Sequence, residues 1–136
     1  MLYKRFSFSK PSNITGSIKG FAWNCGGIRR GAHSTMNKVL FFENRYKNDF
    51  DFFFFLETHH KDKNEIPNEL MRYEDTHDII HSERDENETH SGIIALIRKE
   101  YKVHGIENII QGRILGLKIT DTKKKYLQSI SCILTY

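Results

Sequence analysis

At 136 residues, 38% hydrophobic and 12% aromatic, the chain is long enough for one domain or sub-domain and too apolar to be disordered by composition. Its net charge of +4 favours a polyanionic partner, nucleic acid foremost. No apolar run approaches the ~20 residues of a membrane span, Met1 to Ser17 has no signal-peptide core, and two cysteines, Cys25 and Cys132, suit a reducing compartment; an intracellular location, nuclear or cytoplasmic, and no membrane partner are expected.

Met1 to Gly16 is polar, with Pro11 and several serines, and reads as a loose or edge-pairing N-terminal segment. A strand is expected from about Ile18 to Asn24, and Gly26-Gly27 permits a sharp turn out of it. Ser34 is placed to cap a helix running to about Lys47, with Met36, Val39, Leu40 and Glu43 to Tyr46 at helical spacing. Phe50 to Leu56 is too short and too uniformly apolar for an amphipathic helix and reads as a central strand buried on both faces. Asn64 is placed to cap a short helix to about Arg72, with Pro67 in its first turn. Asp78 to Ser82 reads as a short strand, Glu83 to His90 as a solvated acidic loop, and Ser91 to Arg98 as a strand. Arg113 to Thr120 and Tyr126 to Tyr136 make a hairpin around Asp121 to Lys125. This order predicts an α/β fold: a mixed β-sheet flanked by helices, parallel in its centre and antiparallel at the hairpin.

Two strand ends carry the chemistry. The apolar run Phe52 to Leu56 stops on Glu57, and the run through Trp23 stops on Asn24. A carboxylate at such a mouth is costly unless it is solvated, paired or bound to a metal, and Mg²⁺ is usually held by one or two carboxylates plus substrate phosphate. Plainer roles compete: Glu57 can pair with Lys61 or cap the following helix, and Asn24 can simply form the turn before Gly26-Gly27. Arg29 and Arg30 can clamp phosphate bidentately or lie solvated. A zinc site is not expected from the seven histidines. His59 and His60 are adjacent, His77 and His81 lie in a strand-like stretch, and neither Cys-x-x-Cys nor His-Glu-x-x-His occurs.

Trp23-Asn24-Cys25-Gly26-Gly27-Ile28-Arg29, Leu56-Glu57-Thr58, Gly92 to Arg98, and the pair Gly112 to Leu117 and Leu127 to Tyr136 follow one another in an order that resembles the endonuclease/exonuclease/phosphatase superfamily. That superfamily contains DNase I, exonuclease III-type apurinic endonucleases and LINE-type retrotransposon endonucleases. Leu56 stands where its pattern has Gln, and Gly26 where many members have an acidic or amide residue. The resemblance implies half of a DNase I-like four-layer α/β sandwich and a Mg²⁺-dependent (or Mn²⁺-dependent) phosphodiester hydrolase acting on DNA. It implies that Asn24 and Glu57 hold the metal and take part in catalysis, that Tyr136 approaches the scissile phosphate, and that Arg29 and Arg30 meet the nucleic acid. The superfamily's Gly-Asp-x-Asn and Ser-Asp-His motifs are absent from these residues. Residues 17–136 therefore match the N-terminal portion of such a domain, truncated before its second half, with an incomplete active site and no activity expected alone. The alternatives are a non-catalytic remnant that binds nucleic acid by its charge, or a phosphatase or lipid phosphodiesterase of the same superfamily.

Overall fold

Every residue of the run Phe52–Leu56 is buried, which only the middle of a sheet covered on both faces provides. The computed structural model describes residues 6–9, 20–32, 34–45, 50–121 and 129–134. In chain order these form β1 (Phe6–Ser9), β2 (Gly20–Asn24), α1 (Thr35–Arg45), β3 (Phe52–Leu56), α2 (Asn68–Met71), β4 (His77–Ser82), β5 (Ile93–Arg98), β6 (Tyr101–Ile110), β7 (Ile114–Asp121) and β8 (Ser129–Leu134). One sheet has the order β2-β3-β5-β4, with β2 and β3 parallel and the other pairs antiparallel. The second, β1-β8-β7-β6, is antiparallel throughout.

Side chains alternate across a strand, so β3 feeds two cores. Phe52, Phe54 and Leu56 pack between the sheets with Ala22, Ala95, Leu115 and Ile119. Phe53 and Phe55 turn the other way and meet Val39 and Phe42 of α1 and Leu70 of α2. Phe42 sets its ring edge-on to both, with centroids 4.7 Å from Phe53 and 5.1 Å from Phe55, the arrangement that the ring quadrupole favours. The layers are thus helix, mixed sheet and antiparallel sheet, and the α/β class with a mixed, partly parallel sheet stands.

Several element expectations need correction. The hairpin β7–β8 does not extend the mixed sheet; it belongs to the second sheet, facing the first across the core. Phe6–Ser9 is an edge strand paired with β8, the edge-pairing alternative for the N-terminal segment. Asp62 takes the capping role expected of Asn64: its side chain accepts from the Asn64 amide at 2.8 Å and starts a single 3-10 turn, Lys63–Glu65. The α-helix begins only after Pro67, whose fixed backbone suits the position before its first turn. On α1 the buried stripe is Thr35, Val39 and Phe42, while Met36 and Leu40 are exposed. Strand β6 was not expected at all. Tyr136, Lys47 and the start of the first expected strand at Ile18 lie outside the described residues.

Candidate functional site

The parallel register of β2 and β3 pairs Asn24 with Leu56, so Glu57 follows directly at the same sheet end. The antiparallel strand β5 starts there, since Ile93 pairs with Leu56, and β4 finishes there with Ser82 opposite Ile93. Three connections therefore converge on one edge: 25–28 after β2, 57–60 after β3, and 83–92 between β4 and β5.

Backbone hydrogen bonds lace these connections together. The Cys25 amide donates to the Leu56 carbonyl (3.0 Å), Gly27 to Glu57 (2.7 Å) and Ile28 to Thr58 (3.1 Å). From the other side Thr58 donates to Gly92 (3.2 Å) and His59 to Ser91 (2.9 Å). Glu57 and His59 both adopt left-handed backbone, with φ of 56° and 64°. Non-glycine residues rarely adopt this conformation; such residues gather at functional sites when the surroundings enforce them. Gly27, at φ 95°, lets the β2 turn come close enough that a Cβ there would sit 2.7 Å from His59 Nδ1.

The Asn24 side chain forms the turn itself: its Oδ1 accepts from the Gly26 amide at 3.2 Å. An amide oxygen has two lone pairs, so one stays available. Glu57 is half-buried, and among the described residues no side-chain hydrogen bond or ion pair takes up its carboxylate. Lys61 is not its partner; the Lys61 amide instead donates to Glu65 Oε2 at 2.9 Å. Arg29 is exposed and close enough for its charge to act on His59. Arg30 turns elsewhere, its guanidinium donating to Asn68 Oδ1 at the start of α2. The structure thus gathers Asn24, Glu57 and Arg29 at one edge and leads Arg30 away from it.

Five further side chains, to which no role at this edge was assigned from the sequence, shape it. Lys38 reaches from α1 to donate to the Gly26 and Gly27 carbonyls at 2.9 and 2.7 Å, clasping the helix to the turn. The Cys25 thiol donates to the Leu56 carbonyl at 3.3 Å. Burial, reinforced by Glu57 and only partly opposed by the Gly27 amide and Lys38, pushes that thiol up to about 12, so it is a neutral packing group and no nucleophile. Thr58 and His60, both fully buried, bond to one another. Burial, then the neighbouring His81, pulls the His60 imidazole down to about 3 against the pull of Asp62. His59 is likewise lowered, by burial first and then by His90, with Glu57 opposing. The only signal in the sequence for any of these was the polar run Glu57 to His60 behind an apolar strand.

One carboxylate and one amide oxygen are hard donors of the kind Mg²⁺ takes when water and phosphate complete its shell. Among the described residues no three of His, Cys, Asp and Glu converge as metal ligands.

Two four-stranded sheets packed face to face, with helices outside the mixed one, are a partial DNase I-like α/β fold. Among solved structures, TDP2 from C. elegans is similar in fold, with a TM-score of 0.55 over 78% of this chain at 16% identity. The chain spans 32% of the length of that structure. No protein-family profile and no curated protein matches the sequence.

Proposed function

We propose that the chain carries part of the active site of a Mg²⁺- or Mn²⁺-dependent phosphodiester hydrolase acting on DNA. The observation that carries this reading is the parallel register that ends β2 on Asn24 and β3 just before Glu57, at one edge of a DNase I-like fold. Within the superfamily, the run Trp23-Asn24 and the run Leu56-Glu57-Thr58 support the exonuclease III and LINE-type endonuclease branch.

In this reading Glu57 anchors the ion, and the free lone pair of Asn24 Oδ1 steadies it. Held by Glu57 and Asn24, a divalent ion would supply Lewis-acid polarisation of a phosphate oxygen and charge stabilisation for the leaving alkoxide. Arg29, exposed beside the site, pairs with a phosphate of the strand; Arg30 does so only by leaving Asn68. Tyr136 retains the role that its match to the superfamily pattern suggests. The base that activates water, and the groups of the Gly-Asp-x-Asn and Ser-Asp-His motifs, come from a second half of the domain.

Titrating Mn²⁺ into the wild type and Glu57→Gln tests the reading. Weak binding by the wild type, lost in Glu57→Gln, is the expected result, because two hard ligands are too few for tight binding. A second reading, nucleic-acid binding without catalysis, is favoured by the engagement of Asn24 Oδ1 with the Gly26 amide. It requires equal Mn²⁺ titrations for the two proteins, and that result would remove Glu57 from any metal site.

A further inference from the structure

The corner that presents Glu57 is held by side chains that do not themselves face the site. Thr58 Oγ1 lies 2.6 Å from His60 Nδ1, so this bond spans His59, one of the two left-handed residues. On its far side His60 Nε2 lies 3.2 Å from His81 Nδ1 of β4, the two rings tilted at 63° with centroids 5.3 Å apart. The His60 carbonyl also accepts from the Arg84 amide at 2.9 Å. A residue fastened at both ring nitrogens and at its carbonyl has little freedom to turn. Thr58 in turn fits only because Gly92 has no side chain, since a Cβ there would overlap its hydroxyl oxygen.

We propose that the Thr58–His60–His81 relay is a positioning device that locks the left-handed Glu57 corner and so sets where its carboxylate points. The inference rests on the reading of Glu57 as a metal ligand. Hydrogens can distribute through the relay without conflict in either direction, for instance with the Thr58 hydroxyl donating to His60 Nδ1 and His60 Nε2–H donating to His81 Nδ1. One extra proton fits, because His60 can then donate in both directions. A second sets two N–H groups against each other and opens the relay. The charged and titratable groups facing the pair are Asp62 at His60, and Glu83 and Lys63 at His81. Burial keeps both imidazoles neutral near pH 7, so the corner is locked where the site would work.

The experiment compares Mn²⁺ affinity and melting temperature for the wild type, Glu57→Gln, Thr58→Val, Thr58→Ser and His81→Phe, with ¹⁵N-edited NMR of the histidine rings. Outer-shell partners of a metal ligand typically contribute tenfold or more to affinity. Thr58→Val and His81→Phe should therefore weaken Mn²⁺ by about tenfold, while Thr58→Ser, which keeps the hydroxyl, binds as the wild type does. Affinity that needs Glu57 but is unchanged in both Thr58→Val and His81→Phe overturns the proposal. So does an affinity loss that Thr58→Ser fails to spare while it folds normally. Should Thr58→Val not fold, His81→Phe decides. If the wild type and Glu57→Gln bind Mn²⁺ alike, the metal reading fails by itself, and the relay is judged by NMR. Complementary neutral tautomers of His60 and His81, with Glu57 and His59 amide shifts that move in Thr58→Val but not in Thr58→Ser, support it; their absence sinks it.

Discussion

Gly92 shows how much one residue can decide at this edge. Its φ of 119° is unfavourable for any side chain, and a Cβ would also lie 3.2 Å from the His59 amide and 3.2 Å from His60 Nδ1 while overlapping the Thr58 hydroxyl. Gly92→Ala therefore meets backbone strain and a collision at once, and should cost about 1–3 kcal/mol or more, as forced overpacking does. Gly31 is the natural control. It also has positive φ, 80°, but nothing lies within 4 Å of its added Cβ, so Gly31→Ala bears strain alone, about 1 kcal/mol. Urea unfolding of both variants separates the two contributions. Equal losses would show that the crowding at Thr58 is not real.

At the scale of the element, the segment 57–60 and strand β4 share a set of histidines with one electrostatic habit. His59, His60, His77 and His81 are all lowered from the ordinary histidine value, in each case by burial first. A folded protein that resists protonation loses stability where the unfolded chain takes up protons, because the unfolded state then binds more of them. The stabilising preference for neutral imidazoles is complete above about pH 6.5 and is lost progressively below it, down towards about 3 for His60. Each proton withheld by a buried imidazole costs up to about 1.4 kcal/mol per pH unit in that window. The urea midpoint should therefore fall between pH 7 and pH 5, before most carboxylates titrate. A midpoint that is flat or rises over that interval would contradict the burial of these rings. His77 adds to the effect, since its Nε2 is buried without a hydrogen-bond partner while Nδ1 meets the Thr76 hydroxyl at 2.8 Å.

For the whole molecule, a net charge of +4 predicts DNA binding that is indifferent to sequence and weakens steeply with salt. The two neighbouring arginines should not contribute alike. Arg29 is exposed beside the candidate site, whereas Arg30 is tied to Asn68. Arg29→Ala should lower the slope of log affinity against log salt by about one, the value of one lost phosphate contact, and Arg30→Ala should change it less. Measuring that slope by fluorescence anisotropy on a short duplex checks the point. An unchanged slope in Arg29→Ala would place the DNA contacts on another face.

By itself the sequence determined the elements whose burial is written into a local pattern. Phe52 to Leu56 could only be a covered strand, Ile93 to Ile97 its companion, and the polar residues Asn24 and Glu57 at the ends of β2 and β3 marked one edge of the mixed sheet. Strand β6 escaped because its pattern is broken. Tyr101 is buried and Val103 half-buried, but Ile106, Ile109 and Ile110 are exposed, and irregularities at Val103/Gly105 and Asn108/Ile110 interrupt the period of two. Helix α1 offered two apolar stripes, and only packing against Phe53 and Phe55 chose Val39 and Phe42 over Met36 and Leu40. The tertiary structure alone decided that Asn24 lies opposite Leu56, that Lys38 reaches the Gly26-Gly27 turn, and that His60 meets His81. The physical reason is that the run or alternation of apolar residues within one element is a local pattern, readable from their order. Strand register and the meeting of side chains far apart in the chain depend instead on which surfaces pack, and no local pattern encodes that.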